Sequence, residues 1–302
     1  MLKTDHLPSI HSRLFTLFLR LIGKKHFLKT LLAAGKQNFY SSPEPTAKVY
    51  KYCRVDKRQL GGQQVFTLHP KKHKSSRHIL YLHGGAYVQS FTSHHWSFMA
   101  ELVNATNCTI SAPDYPLAPA FTFEDSFRMI LALYKELLEN VAKEGLVIMG
   151  DSSGGGLALA FCQLLANEQL PQPGQLILLS PWLDISLTNP EIQQIAMEDP
   201  FMGLEGLLQA GRLYAGNAPL DHYLLSPIYG SFKGLENIAV FVGSREILVA
   251  DARKLKTMMA GEISQFIYVE YPGMVHDWML INLPESRQAR QQIISIIETG
   301  KL

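Results

Sequence analysis

Gly150-Asp151-Ser152-Ser153-Gly154 is the segment of this 302-residue chain whose residue types and spacing bear most directly on chemistry. A serine with glycine two positions before and after it suits a sharp strand-to-helix turn, because small residues relieve the clashes while the hydroxyl stands exposed. The flanks agree: Leu146 to Met149 is a short apolar run of strand length, and Ser153 to Asn167 reads as a helix. A phosphate-binding turn would also open a helix with glycines, as Gly154-Gly155-Gly156 does, but the turn has no lysine and the chain has no Gly-x-x-x-x-Gly-Lys-[Ser/Thr] pattern. Ser152 is therefore read as a nucleophile.

A serine hydroxyl needs a base, and the base needs an orienting carboxylate. Following the chain order nucleophile, acid, base, His276 is the histidine that fits: it lies in Gly273-Met274-Val275-His276, past the strand-like run Phe266 to Val269. His222 falls in a stretch without strands. The loop after Ala239 to Val242 offers two acids; Glu246 is nearer the strand end, and Asp251 is placed to cap the following helix. Acyl transfer builds charge on a carbonyl oxygen, and His83-Gly84-Gly85-Ala86, directly after Ile79 to Leu82, supplies backbone that can approach it. The oxyanion site is assigned to Gly84, Gly85, Ala86 and Ser153, with the N–H groups of Gly85, Ala86 and Ser153 as donors. The His83 ring is expected to hold the loop rather than touch substrate.

Short apolar strands alternating with helices must position these residues. Strands are predicted at 49–55, 64–68, 79–82, 108–111, 146–149, 175–179, 239–242 and 266–269, and helices at 96–105, 124–142, 153–167 and 251–260. The basic run at 71–74 reads as a solvated hairpin loop. This alternation implies an α/β fold with a mostly parallel central sheet covered by helices on both faces. Residues 184–225, rich in proline and bulky apolar side chains but without a strand, read as a helical insertion.

His83-Gly84-Gly85-Ala86, Asp114-Tyr115-Pro116-Leu117-Ala118-Pro119, Gly150-Asp151-Ser152-Ser153-Gly154-Gly155 and Gly273-Met274-Val275-His276 together resemble the hormone-sensitive-lipase family of α/β-hydrolases. The resemblance runs from about residue 77 to 280. It implies hydrolysis of short-acyl carboxylic esters by a Ser152–His276–Glu246 triad without a cofactor, and a helical cap made of residues 1–45 and 184–225 over core segments 46–183 and 226–302. Ala86 replaces the family's usual third glycine, Pro116 a frequent arginine, and Glu246 the commoner aspartate. Tyr87, Trp182, Phe201, Met202 and Tyr214 are the pocket candidates. Amide or lactone cleavage would use the same triad. Silent ligand-binding proteins on this scaffold, such as plant gibberellin receptors, lack a working triad histidine, so His276 argues against that role.

Lys+Arg number 28 against 26 Asp+Glu, too small an excess for a nucleic-acid footprint. The expected partner is a small-molecule ester; the sequence leaves a homodimer open. Cys53, Cys108 and Cys162 lie far apart without a metal-ligand pattern and read as buried free thiols in a cytoplasmic protein. Residues 1–40 carry seven basic residues and one acid. Within them Ile10, Leu14, Leu17, Phe18, Leu21 and Ile22 recur at helical spacing, interrupted by Arg20, which describes an amphipathic helix rather than a membrane span or a secretory signal. That apolar face is expected to pack on the body as part of the cap; peripheral contact with a membrane is the other reading.

Overall fold

A computed structural model describes residues 7–35, 41–261, 263 and 265–302. Lys3, Asp5 and Lys36 of the basic N-terminal segment lie outside them. In chain order the elements are α1 (Ile10–Leu21), α2 (Phe27–Ala33), α3 (Ala47–Tyr52), β1 (Cys53–Leu60), β2 (Gln63–Pro70), β3 (His78–Leu82), α4 (Ser93–Thr106), β4 (Thr109–Pro113) and α5 (Phe123–Leu138). There follow β5 (Leu146–Asp151), α6 (Ser153–Asn167), β6 (Gln175–Leu179), α7 (Glu191–Glu198), α8 (Leu204–Ala215), β7 (Ile238–Gly243), α9 (Val249–Met259), β8 (Phe266–Tyr271) and α10 (Pro284–Thr299).

The eight strands form one sheet in the order β1-β2-β4-β3-β5-β6-β7-β8. β1 and β2 are antiparallel to their neighbours, and the rest run parallel. Side chains alternate across the sheet. Leu80, Ile148, Leu178 and Val240 face a core that includes Leu133 of α5 and Leu157 of α6, whereas Ile79, Val147, Ile177 and Phe241 face one with Phe98 of α4 and Ile293 of α10. Burial on both faces explains why β3, β5, β6 and β7 read as continuous apolar runs, each such side chain contributing roughly 1.5–3 kcal/mol. The mostly parallel sheet covered by helices on both faces, expected from the alternation, is what the chain adopts.

Three local expectations are corrected. Residues 49–55 are not one strand: α3 occupies their first part, with Val49 fully buried and the helix packed against α4, so tertiary packing overrides the β-branched and aromatic local preference. Residues 71–77 do not close a hairpin, because β2 pairs with β4 and β3 lies one strand further in. The apolar face of α1 does not pack on the body: Ile10 and Leu21 are 72% and 77% exposed, with Leu14, Leu17 and Phe18 also exposed. The helix docks through its opposite side, where Ser12, Thr16 and Leu19 are buried and Glu285 of α10 accepts from the Ser9 N–H (2.6 Å) and the Ser12 hydroxyl (2.6 Å). Hydrophobic periodicity reveals that a helix has an apolar face, but not which way the face turns.

α2 does pack, and its partner is α8. Gly206 makes the approach close: a Cβ there would come 2.8 Å from the Lys29 backbone nitrogen. Lys29 pairs with Glu205, and Lys25 donates to the Ala196 carbonyl.

Candidate active site

β5 ends where the candidate nucleophile begins. Ser152 has φ 53° and ψ −122°, a backbone region that L-residues rarely occupy, between β5 and the first turn of α6. The flanking glycines are required by space: a Cβ on Gly154 would stand 2.0 Å from the Leu82 carbonyl oxygen, and one on Gly150 2.3 Å from that of Gly154. The elbow thus packs directly onto β3, the strand that carries the His83-Gly84-Gly85-Ala86 loop.

Loops after β7 and β8 bring the other two candidates to it. Nε2 of His276 lies 2.9 Å from Oγ of Ser152, and its Nδ1 lies 2.6 Å from Oε2 of Glu246. Oε1 of Glu246 accepts from the Ser180 hydroxyl (2.7 Å) and the Gly243 N–H (2.7 Å), so the carboxylate is fixed at both oxygens. With Nδ1–H donated to Glu246, the Nε2 lone pair faces the serine. Both Ser152 and His276 are nearly closed off, at 7% and 4% exposure, which makes their mutual electrostatics strong. Asp251 is not at this site and is not the cap of its helix. It lies inside the first turn of α9, and its Oδ1 accepts from Asn189 of the insertion at 2.9 Å.

Asp277 is a site residue that sequence reasoning missed. Its Oδ2 stands 3.1 Å from Nε2 of His276, the same nitrogen that faces Ser152. Burial alone would lower the imidazole pKa, but the carboxylates of Asp277 and Glu246 carry it well above its ordinary value. Burial pushes the Asp277 carboxyl up to about 6, against the pull of His276, with Asp151 and Glu246 as neighbouring negative charges. Asp199 lies close enough for the charge of His276 to be felt at its carboxyl. A general base must be neutral to accept a proton, so with His276 in that role a second carboxylate at Nε2 is expected to confine activity to higher pH. Asp277→Asn is expected to move the acid limb of the kcat/KM profile down by about one pH unit, with the hydrolysis of a neutral ester as readout. An unmoved limb would show that Asp277 does not act on the base. Its signal in the sequence is only its adjacency to His276.

The loop after β3 is held from below. Asp151, fully buried, accepts from the Tyr81 hydroxyl (2.5 Å) and the Gly84 N–H (3.1 Å) and lies 3.0 Å from Nε2 of His95. Burial would raise the Asp151 pKa, but His95 and Tyr81 hold it below the ordinary carboxylate value. The Gly84 N–H is thereby occupied and serves to anchor the loop. The N–H groups of Gly85, Ala86 and Ser153 meet no acceptor among the described residues, and Ala86 takes φ 54° without being glycine. The His83 ring lies against Tyr115 (centroids 4.4 Å apart) with Nδ1 2.7 Å from the Gly84 carbonyl oxygen, which is a structural placement.

Of the pocket candidates, Phe201 reaches the site: its ring centroid is 5.6 Å from that of His276. Tyr87 stacks on Tyr214 (3.8 Å, 2°) and on Trp182 (5.7 Å), and all three are fully buried against one another. Met202 is buried beside Phe201, where the N–H groups of both are accepted by Oδ1 of Asp199. Oδ2 of Asp199 accepts the N–H of Ile247, so the insertion braces the loop that carries Glu246. Among the described residues no group of three or more His, Cys, Asp or Glu side chains is gathered as metal ligands are.

Residues 79–280 match a family model described as the alpha/beta hydrolase fold. The chain belongs to that family. It is 29% identical to a putative acetyl-hydrolase, LipR, of Mycobacterium tuberculosis over 85% of this chain and 84% of that one. To an esterase of Acinetobacter venetianus it is 30% identical, covering 71% of this chain and 72% of the relative. The crystal structure of a putative esterase from Staphylococcus aureus superposes with a TM-score of 0.80 at 30% identity, over 91% of this chain and 92% of that one. Carboxylic ester hydrolase is the enzyme class of this α/β-hydrolase. No helix among its described residues is long and apolar enough to cross a membrane.

Proposed function

We propose that this α/β-hydrolase cleaves short-acyl carboxylic esters by a serine mechanism, a reading carried by the continuous path Ser152 Oγ, His276 Nε2, His276 Nδ1, Glu246 Oε2. Oγ attacks the ester carbonyl while Nε2 takes its proton, and the carbonyl oxygen becomes an oxyanion received by the N–H groups of Gly85, Ala86 and Ser153. The intermediate collapses by breaking the bond to the alkoxy oxygen, which leaves with the proton from Nε2. Water then attacks the acyl-serine, giving its proton to Nε2, and the carboxylic acid departs as Oγ regains that proton. Glu246 holds the imidazole in the tautomer that accepts from serine.

The acyl preference rests on the acetyl-hydrolase relative and on Phe201 standing across from His276. Segments 1–45 and 184–225 are the cap, and segments 46–183 and 226–302 the catalytic core. Cytoplasmic placement is supported by three buried, unpaired thiols, with Cys53 and Cys108 pushed up to about 11 by burial and so poorly reactive. A series of 4-nitrophenyl esters tests the substrate reading: kcat/KM is expected to be highest for acetyl or butyryl and to fall about tenfold or more by dodecanoyl. A rise with chain length would make the protein a lipase instead.

A further inference from the structure

We infer that the exposed face of α1 seats the protein on an anionic lipid surface. Ile10, Leu14, Leu17, Phe18 and Leu21 form one stripe, and with Leu7 and Ile22 they make up seven of the thirteen large apolar side chains exposed among the described residues. Scattered single residues of this kind are ordinary, but a contiguous stripe marks an interaction surface. The face is firmly presented: Ser9 and Ser12 tie the opposite side of the helix to Glu285. On the insertion, the exposed Met197 precedes Glu198, whose carbonyl accepts from Arg20 at 3.4 Å.

Charge selects the occupant. Leu7 to Gly35 contain five basic residues and no acid. By helical geometry Arg13 and Arg20 line one edge of the apolar stripe, and neither is ion-paired among the described residues. The carboxylate at this helix, Glu285, is held on the docked side. A second copy meeting the same face would set these arginines against their like, whereas anionic headgroups beside an apolar interior complement both parts of the surface. The placement also serves the site. Directly after α1, the Lys24 ammonium lies 5.1 Å over the Phe201 ring, which in turn stands beside His276. Lipid docking would therefore put the approach to Ser152 at the interface, which favours short-acyl esters whose alcohol part dissolves in lipid; this second step rests on the proposed ester hydrolysis.

The test is sedimentation of the full chain with vesicles of equal parts phosphatidylglycerol and phosphatidylcholine, with pure phosphatidylcholine for comparison. The bound fraction is expected to be about tenfold or more higher on the anionic vesicles, to fall with salt, and to fall similarly in the Leu14→Ser/Leu21→Ser double variant. Arg13→Gln/Arg20→Gln should remove most of the anionic preference. Hydrolysis of a soluble acetate ester should be unchanged in both variants, which shows that they fold. Absence of vesicle binding, or binding that neither variant alters, overturns the inference. So does a dimer in sedimentation velocity that Leu14→Ser/Leu21→Ser converts to monomer, because the face then belongs to a second copy. Failure of the native chain to hydrolyse any ester would remove the catalytic reading and leave the vesicle result standing.

Discussion

Replacing Ser152 with alanine is expected to lower kcat for ester hydrolysis by on the order of 10⁴–10⁶-fold, and His276→Ala to do nearly the same. The two losses should not add in the double variant, because the proposed mechanism joins Oγ and Nε2, 2.9 Å apart, in one proton-coupled attack that neither performs alone. Folding should survive. The Ser152 hydroxyl donates to no structural partner other than His276 among the described residues, and alanine at φ 53° is strained about as much as serine is. An organophosphonate should label the native chain at Ser152 and leave Ser152→Ala unlabelled. Labelling at another residue, or full activity in Ser152→Ala, would remove Ser152 from the mechanism.

Glu246→Gln is expected to cost about 10³–10⁴-fold in kcat. The amide cannot stabilise the imidazolium that forms when Nε2 takes the serine proton. The pocket also accepts only acceptors: Oε1 already receives the Ser180 hydroxyl and the Gly243 N–H, and Oε2 faces Nδ1. An amide nitrogen at either place must break a hydrogen bond or force the wrong tautomer. Asp251→Asn is the comparison, and it should leave kcat within about threefold and stability within about 1 kcal/mol at pH 7. Burial raises the Asp251 carboxyl to about 6, above its unfolded value, so the stability it contributes is present at low pH and is lost as pH rises through about 6. Asparagine keeps the acceptor for Asn189 without a charge to desolvate, and the pH dependence of Tm between about 4 and 7 should flatten. Steady-state kinetics giving the larger loss to Asp251→Asn would transfer the orienting role to that residue.

Backbone constraints and chain order made Ser152 and His276 legible in the sequence. A turn tight enough to expose a serine between β5 and α6 needs glycine at 150 and 154, where any Cβ would collide with backbone, and such a requirement is written in residue types. Burial of the central strands on both faces likewise leaves apolar runs that declare a parallel sheet. Asp277 and Asp199 were illegible for the opposite reason: a carboxylate has no sequence mark for facing an imidazole or bracing a distant loop, and those roles exist only once β8 and the insertion close on the same strand ends. The Asp151, His95 and Tyr81 network under the loop after β3 is of the same kind, joining residues from β5, α4 and β3. For α1 the sequence determined an amphipathic helix with a basic edge. Tertiary structure alone decided that its apolar face turns outward, because two serines bonded to Glu285 dock the polar side, and a period of 3.6 residues specifies a face without specifying its neighbour.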